Sequence, residues 1–229
     1  MEAESFFTRG RVVALLALTT CLLWGSAFPG VKTGYRLLNI EAGEVAVQIL
    51  FAGYRFSLAG LLVLVFAFLS GNKIFDLKSV QWRQVILLGL FMTTSQYIFF
   101  YIGLAHTSGV KGSIVNSTST FFSVILAHFL YKTDRLQPNT IIGCLLGFAG
   151  VLAVNWGGSL DGGFSLLGEG FLVISCFCLA GAGIYGKGLS QNINPTVMTG
   201  WQLSIGGLVL IIIGLAAGGR LTGFTPASA

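Results

Sequence analysis

Charged residues punctuate this chain at wide intervals, and the runs between them are apolar. Twenty residues separate Arg11 from Lys32, 27 separate Arg83 from Lys111, 20 separate Lys111 from Lys132, and 25 separate Arg135 from Asp161. Seventeen lie between Glu169 and Lys187, and 32 between Lys187 and Arg220. A seventh run, Val45 to Leu69, is broken once, by Arg55. A helix needs about 20 apolar residues to cross about 30 Å of hydrocarbon, whereas a surface helix of a soluble domain keeps one polar face. The pattern therefore predicts an all-α, polytopic membrane protein with about seven transmembrane helices. The spans fall at roughly 12–31, 45–69, 85–105, 112–131, 138–156, 168–188 and 197–217. Short connections make successive helices antiparallel neighbours.

Composition agrees: 54% of residues are hydrophobic and only 9% charged, about a third of the usual charged share. So few charges cannot cover a water-facing surface, and the lipid bilayer is the expected partner. The net charge of +5 is spread over short loops without a basic stripe, which excludes nucleic acid as a partner. It bears instead on orientation. One set of span ends carries Arg9, Arg11, Lys73, Lys78, Arg83, Lys132, Arg135 and Lys187, and the other carries Lys32, Arg36, Lys111 and Arg220. Positive charge favours the cytoplasmic side, so the N-terminus is expected inside, in a multi-pass protein of the plasma (inner) membrane. The apolar run after Arg9 and Arg11 is too long for a signal peptide and reads as a retained helix.

Gly is abundant, at 32 residues. The G-x-x-x-G pairs Gly143/Gly147 and Gly214/Gly218 read as helix packing, and they leave dimerisation open. Cys21, Cys144, Cys176 and Cys178 all fall within spans and read as small apolar packing residues. His106 and His128 have no second ligand at metal spacing, so no metal or other cofactor is expected. Gly181 to Gly186 fit G-x-G-x-x-G, but no strand precedes them, so dinucleotide binding is excluded. The chain also has no P-loop and no cluster of catalytic residues, and it does not read as an enzyme.

An internal repeat is present. Residues 23–30 (LWGSAFPG) align with 179–186 (LAGAGIYG), and 54–61 (YRFSLAGL) align with 201–208 (WQLSIGGL). If the sixth span repeats the first, the unit is five helices. Five is odd, so the second unit enters the membrane upside down, which is a building principle of transporters. The expected organisation is a first five-helix repeat over 1–158 and the start of a second over 159–229. The second unit stops after two helices, as in a truncated sequence.

These residues resemble the EamA-type members of the drug/metabolite transporter superfamily. The resemblance rests on residues 23–28 (LWGSAF), on Tyr54-Arg55-Phe56 with Ala59-Gly60, on residues 103–108 (GLAHTS), and on Gly143 to Gly150 with Val151-Leu152. It covers essentially the whole chain. It implies ten spans in two inverted five-helix halves, a central substrate cavity, and export or exchange of small metabolites. Two positions depart from the family pattern. Thr133-Asp134-Arg135-Leu136 has Asp where Glu is usual. The Pro typical of the fourth span is replaced by the region Ser117 to Thr120, which predicts a straighter helix there.

Several polar residues inside spans are candidates for substrate binding. Arg55 lies about a third of the way into its span, where an Arg costs at least ~2.5–3.5 kcal/mol. Its partner is a helix carbonyl, a residue on another span, or an anionic substrate group. Thr93, Tyr97 and Tyr101 are four apart and share a helix face, which suits either a cavity wall or interhelical packing. Asn116, Ser119, Thr120 and Ser123 make a second polar face, either cavity lining or helix–helix glue. Trp24 and Ser26 precede Pro29, and Tyr185 holds the repeated position in the sixth span. Trp201 and Gln202 match Tyr54 and Arg55. The candidate substrate-binding set is therefore Trp24, Ser26, Arg55, Thr93, Tyr97, Tyr101, Asn116, Thr120, Tyr185, Trp201 and Gln202.

The function expected is export or exchange of a small-molecule substrate by alternating access. Amino acids and amphipathic compounds are the substrate classes in view. Mid-span carboxylates, common in proton-coupled carriers, are absent from the sequence, which disfavours the rival reading as a lipophilic-cation efflux carrier. The other rival is a non-transporting membrane scaffold or inactive fragment.

Overall fold

A computed structural model of the chain describes residues 10–41, 43–130, 137–154 and 164–221; within these, the side chains at 24, 25, 27–29, 32 and 154 lie outside the description. Among the described residues the regular structure is entirely helical. The helices are α1 (Gly10–Leu37), α2 (Val45–Leu69), α3 (Ser79–Ala105), α4 (Gly109–Leu130), α5 (Pro138–Val154), α6 (Leu166–Leu189) and α7 (Pro195–Ala216). Helices are what apolar runs must form in lipid, because only intrahelical bonds satisfy every backbone group there. Five of them, α2, α3, α4, α6 and α7, are long and apolar enough to cross a membrane; Gly10–Leu23 and Pro138–Ala153 are shorter apolar stretches. Their outer faces carry bare side chains such as Leu62, Phe66, Leu146 and Ile212, each more than half exposed. In water such continuous patches would drive association; in a bilayer they meet lipid tails.

The chain divides into two compact units, α1 with the residues after it to Glu41 in one, and α2–α7 in the other. In the first, α1 ends in a turn where Asn39 adopts a positive φ of 52° and Ile40 N–H donates to the Tyr35 carbonyl at 2.8 Å.

In the second unit, α2 and α7 form the tightest pair. The seam runs Leu50, Gly53, Ser57, Gly60, Leu64 on α2 and Gly200, Ser204, Gly207, Ile211, Gly214 on α7. Both alternate steps of three and four, the 3.5-residue period of helices that stay in contact over many turns. A Cβ added at Gly53 would stand 2.7 Å from Ile211 N, one at Gly200 2.7 Å from Leu64 Cγ, and one at Gly214 2.8 Å from Leu50 Cβ. As numbers rise along α2 they fall along α7, so the pair is antiparallel. Small residues are what such close backbone approach requires where lipid offers no hydrophobic driving force. Both helices also end alike. Gly71 (φ 80°) and Gly218 (φ 83°) take the left-handed conformation. Asn72 N–H then bonds Ala67 O at 3.0 Å, and Gly219 N–H bonds Gly214 O at 2.9 Å. Each is a Schellman-type end that satisfies otherwise orphaned carbonyls.

From α7 the packing passes to the first half of α3, from the second half of α3 to α6, and from α6 to α4. Phe121 of α4 meets Phe148 of α5 edge-to-face at 5.6 Å. Gly103 of α3 lies where a Cβ would be 2.8 Å from Leu172 Cγ of α6. Two π-helical turns interrupt the regular winding, Leu90–Ser95 in α3 and Leu166–Gly170 at the start of α6.

Three sequence expectations are corrected. Gly143 and Gly147 pack against nothing within 4 Å, because among the described residues α5 meets α4 through a different face, that of Phe148; Gly214 does pack, whereas Gly218 serves the turn. The fourth span, though it lacks the Pro, is not continuous regular helix. It breaks at Thr118, between Gly109–Ser117 and Ser119–Leu130. Ser117 and Thr118 donate their hydroxyls back to Ile114 O and Val115 O, both at 2.6 Å, and such back-bonding competes with regular helix. The third span begins at Ser79 rather than 85, started by Lys78 N–H donating to Gln81 Oε1 at 2.9 Å.

Candidate functional site

Arg55 is the eleventh residue of the 25-residue α2, about 15 Å from its start at 1.5 Å per residue. It stands two residues past Gly53, about 200° around the helix, and so points away from the α7 seam. The side chain is half-buried, and its guanidinium carbon lies 4.6 Å from the centre of the Phe56 ring. Phe56 in turn contacts Tyr97 of α3 at 4.5 Å between ring centres. Tyr97 meets Phe100 at 6.2 Å and Tyr101 at 6.1 Å, and Phe100 meets Tyr101 edge-on at 5.7 Å. These five side chains form one cluster between α2 and the second half of α3. It carries a cation, two phenol groups and a continuous aromatic wall.

The structure thus brings Arg55, Tyr97 and Tyr101 together with Phe100, which lies next to their face in the sequence pattern, and adds Phe56. It separates them from Thr93. Gln202 of α7 donates Nε2–H to Thr93 Oγ1 at 2.6 Å, and both side chains are buried. Thr94 donates its hydroxyl to the Gly206 carbonyl at 3.1 Å. The π-turn is the cause: its wider winding inserts an extra residue, so the faces before and after it no longer align. Thr93 turns to α7 and Tyr97 to α2. Just beyond the π-turn, Gln96 Nε2–H donates to Ser175 Oγ at 3.2 Å, and Ser175 donates back to the Gln96 carbonyl at 3.0 Å. Gln202 and Thr93 therefore act first as a helix–helix bond.

Trp201 is also elsewhere. Its indole N–H donates to the Ile74 carbonyl in the α2–α3 loop at 2.7 Å. Its ring packs on Trp82 at 4.8 Å and Phe75 at 5.4 Å. Tyr185 and Trp201 both border the buried group of Val85, Leu88, Ala182, Leu189, Ile193 and Met198. This aromatic plug ties the starts of α3 and α7 to the end of α6. Tyr185 also borders a shallow, open surface groove with Leu130, Ile184 and Leu189.

The polar face expected on α4 is split by the break at Thr118. Asn116 turns to α6, where Cys176 Sγ lies 3.9 Å from its Oδ1 and 3.6 Å from the Val115 carbonyl. Thr120 is exposed, and Ser123 bonds back to Ser119 O at 2.9 Å. Ser26 of α1 bonds back to Leu23 O at 2.9 Å. Trp24 lies on α1 with its side chain outside the described residues.

One polar cluster was not anticipated. Glu169, buried in the π-turn of α6, accepts from Thr107 Oγ1 at 2.7 Å and from Ser165 N–H at 2.8 Å. Lys111 Nζ stands 3.7 Å from the same carboxylate. The group joins the α3–α4 turn to the start of α6. Its members are far apart in sequence; the one signal was that Lys111 and Glu169 each begin an apolar run.

Among the described residues no group of three metal-ligating side chains occurs. The chemistry on offer is binding: a half-buried cation, phenols and aromatic faces held on two packed helices.

Comparison with known proteins agrees in kind. An uncharacterized transporter of Archaeoglobus fulgidus is 26% identical over 199 residues, covering 86% of this chain and 64% of that protein. The uncharacterized inner membrane transporter YedA of Escherichia coli K12 is 27% identical over 210 residues, covering 91% of this chain and 63% of its own length. A WAT1-related chloroplastic protein of Arabidopsis thaliana is 28% identical over 194 residues, 83% of this chain and 44% of that one. The chain thus spans less than two thirds of each of these relatives. No solved structure matches it. The EamA-like transporter family matches residues 11–156 and 166–227, nearly the whole length, and the chain belongs to that family.

Proposed function

We propose that this protein is part or all of a multi-pass carrier of the plasma (inner) membrane that exports or exchanges small organic metabolites by alternating access. In this reading all seven helices cross the bilayer with the N-terminus inside. Residues 1–158 form one five-helix repeat, and 159–229 begin a second, inverted one. Amino acids and amphipathic compounds are the substrates in view, and the Arg55–Tyr97–Tyr101 cluster contributes to their site.

The observation that carries the reading is the reciprocity of the α2–α7 seam. Gly60 packs on Ser204 and Gly207 on Ser57; Gly53 packs on Ile211 and Gly200 on Leu64. The displacement that aligns residues 54–61 with 201–208 turns each contact into its partner, as a two-fold axis in the membrane plane requires. The same displacement superposes the turn at Gly71 on the turn at Gly218. Antiparallel equivalent helices are what an inverted repeat produces, and carriers place substrate between such halves. The family assignment supports the same conclusion, and so does the break between its two matched segments, near residue 160.

The cation-efflux rival fits less well. Of the acidic residues in α2–α7, Glu169 already faces Lys111, while the residue at depth is the cation Arg55.

Flux is the test. Membrane vesicles from cells expressing the protein are loaded with a labelled mixture of amino acids and aromatic metabolites and compared with vesicles lacking it. Protein-dependent efflux of at least one component is expected, with labelling of single cysteines at Ser70 and Ser108 from opposite sides. Equal efflux from both vesicle sets, or same-side labelling, overturns the reading.

A further inference from the structure

Taking the carrier reading as its basis, we infer that Arg55 receives the carboxylate of an amphipathic monoanion whose apolar or aromatic body lies against Phe56, Tyr97 and Phe100. The inference starts from what the guanidinium does in the fold. It sits near mid-helix, yet makes no hydrogen bond or ion pair to any described residue. The ion pairs present, Lys73–Asp76 and Lys111–Glu169, lie elsewhere. Its one marked contact is with the Phe56 ring.

That contact matters for ligand chemistry. A guanidinium is planar, and stacking on an aromatic ring engages its face. The five N–H groups lie in its plane and stay available, in a fork that matches the two oxygens of a carboxylate. With its centre over the Phe56 ring at 4.6 Å and no hydrogen bond to a described residue, the guanidinium keeps its donors unused. Arg55 is half-buried, so a ligand can reach it.

Charge count selects the class of anion. Among the described residues of the second unit, the other Lys and Arg side chains stand at or beyond helix ends, namely Lys73, Lys78, Arg83, Lys111, Lys187 and Arg220. One cation at depth balances one negative charge. A dianionic phosphate would leave a net charge in the apolar interior, which is costly. The aromatic wall next to the cation selects the rest of the molecule. Phe56, Tyr97 and Phe100 offer edges and faces to an apolar body, and phenols tolerate a partly polar one.

Binding to the protein in lipid nanodiscs, followed by calorimetry, tests this with four probes that share a phenyl body: 3-phenylpropionate, 3-phenylpropionamide, 3-phenylpropylamine and phenyl phosphate. Charge-assisted bonds predict 3-phenylpropionate at least about tenfold tighter than the amide, with the amine weakest. Arg55→Gln should erase the preference while leaving amide affinity within about twofold, and Arg55→Lys should keep part of it, since a point charge replaces the fork. An affinity for 3-phenylpropionate no higher than for the amide, absence of binding included, overturns the inference. So does a preference that survives Arg55→Gln, or tighter binding of phenyl phosphate. The wild-type comparison stands even if a variant does not fold. Vesicle efflux without carboxylate preference sinks this inference alone; carboxylate preference without efflux sinks the carrier reading alone.

Discussion

A Cβ placed on Gly207 would stand 2.6 Å from the Ser57 hydroxyl oxygen and 2.5 Å from the Ser57 amide nitrogen. Backbone leaves no room there, so even Ala forces α2 and α7 apart. Overpacking of this kind costs about 1–3 kcal/mol. Gly207→Ala and Gly60→Ala are each expected to lower the unfolding temperature in detergent. Gly143→Ala, whose Cβ meets nothing within 4 Å, is expected to leave it within error. Equal effects at the three positions would mean that the seam is not packed as described.

The Gln202–Thr93 bond spans α7 and α3 at 2.6 Å between two buried side chains. Interhelical hydrogen bonds in membranes average about 0.6 kcal/mol and reach about 1.7. A double-mutant cycle with Thr93→Val and Gln202→Leu, read by denaturant unfolding in mixed micelles, should give a coupling in that range. Additive effects, within about 0.3–0.5 kcal/mol, would show that the bond contributes nothing of its own.

Legibility in the sequence followed physical scale. Helix existence was readable, because hydrocarbon thickness sets a run length that charges delimit; the bounds of α2 are those expected. Register inside a helix was not. The apolar run through Leu90–Ser95 gives no sign of a π-turn, so Thr93 was assigned to the face of Tyr97. Hydroxyl back-bonding at Ser117 and Thr118 was equally silent, since those residues also occur in regular membrane helices. Arg55, Tyr97 and Tyr101 were readable because each is unusual at depth. Phe56 was not, for an aromatic residue in a membrane span is ordinary. The Glu169 cluster depends on contacts across three helix ends, which only the fold supplies.

Glu169 separates charge from hydrogen bonding. Thr107 and Ser165 donate to its oxygens, while Lys111 stands at 3.7 Å. Removing one partner of a buried pair costs about 3–5 kcal/mol, because the other charge is left uncompensated. Both side chains here retain some exposure, so the expected loss for Glu169→Ala lies at or below the lower end. Glu169→Gln has one acceptor oxygen, which keeps the bond from Ser165 N–H, while its amide N–H donates to Thr107 Oγ1 in place of accepting from it; it removes the charge alone and should lose less. Thermal unfolding of both, with Lys111→Met as a third variant, checks the order. If Glu169→Gln is as damaging as Glu169→Ala, charge rather than hydrogen bonding organises this helix end.

Trp201 holds the α2–α3 loop by two distinct contacts, a hydrogen bond to Ile74 O and ring packing on Trp82 and Phe75. Trp201→Phe keeps most of the packing and loses the bond, which leaves the Ile74 carbonyl to find water. A neutral hydrogen bond contributes about 0.5–1.5 kcal/mol net, so amide exchange across residues 71–77 should speed by roughly two- to thirteenfold. Trp201→Ala removes the ring as well and should expose the group of Val85, Leu88 and Met198 beneath it. Exchange should then quicken at the starts of α3 and α7 together, because the plug is shared by both. Quickening confined to the loop in Trp201→Ala would show that the helices hold each other without it, and that Trp201 anchors the loop alone.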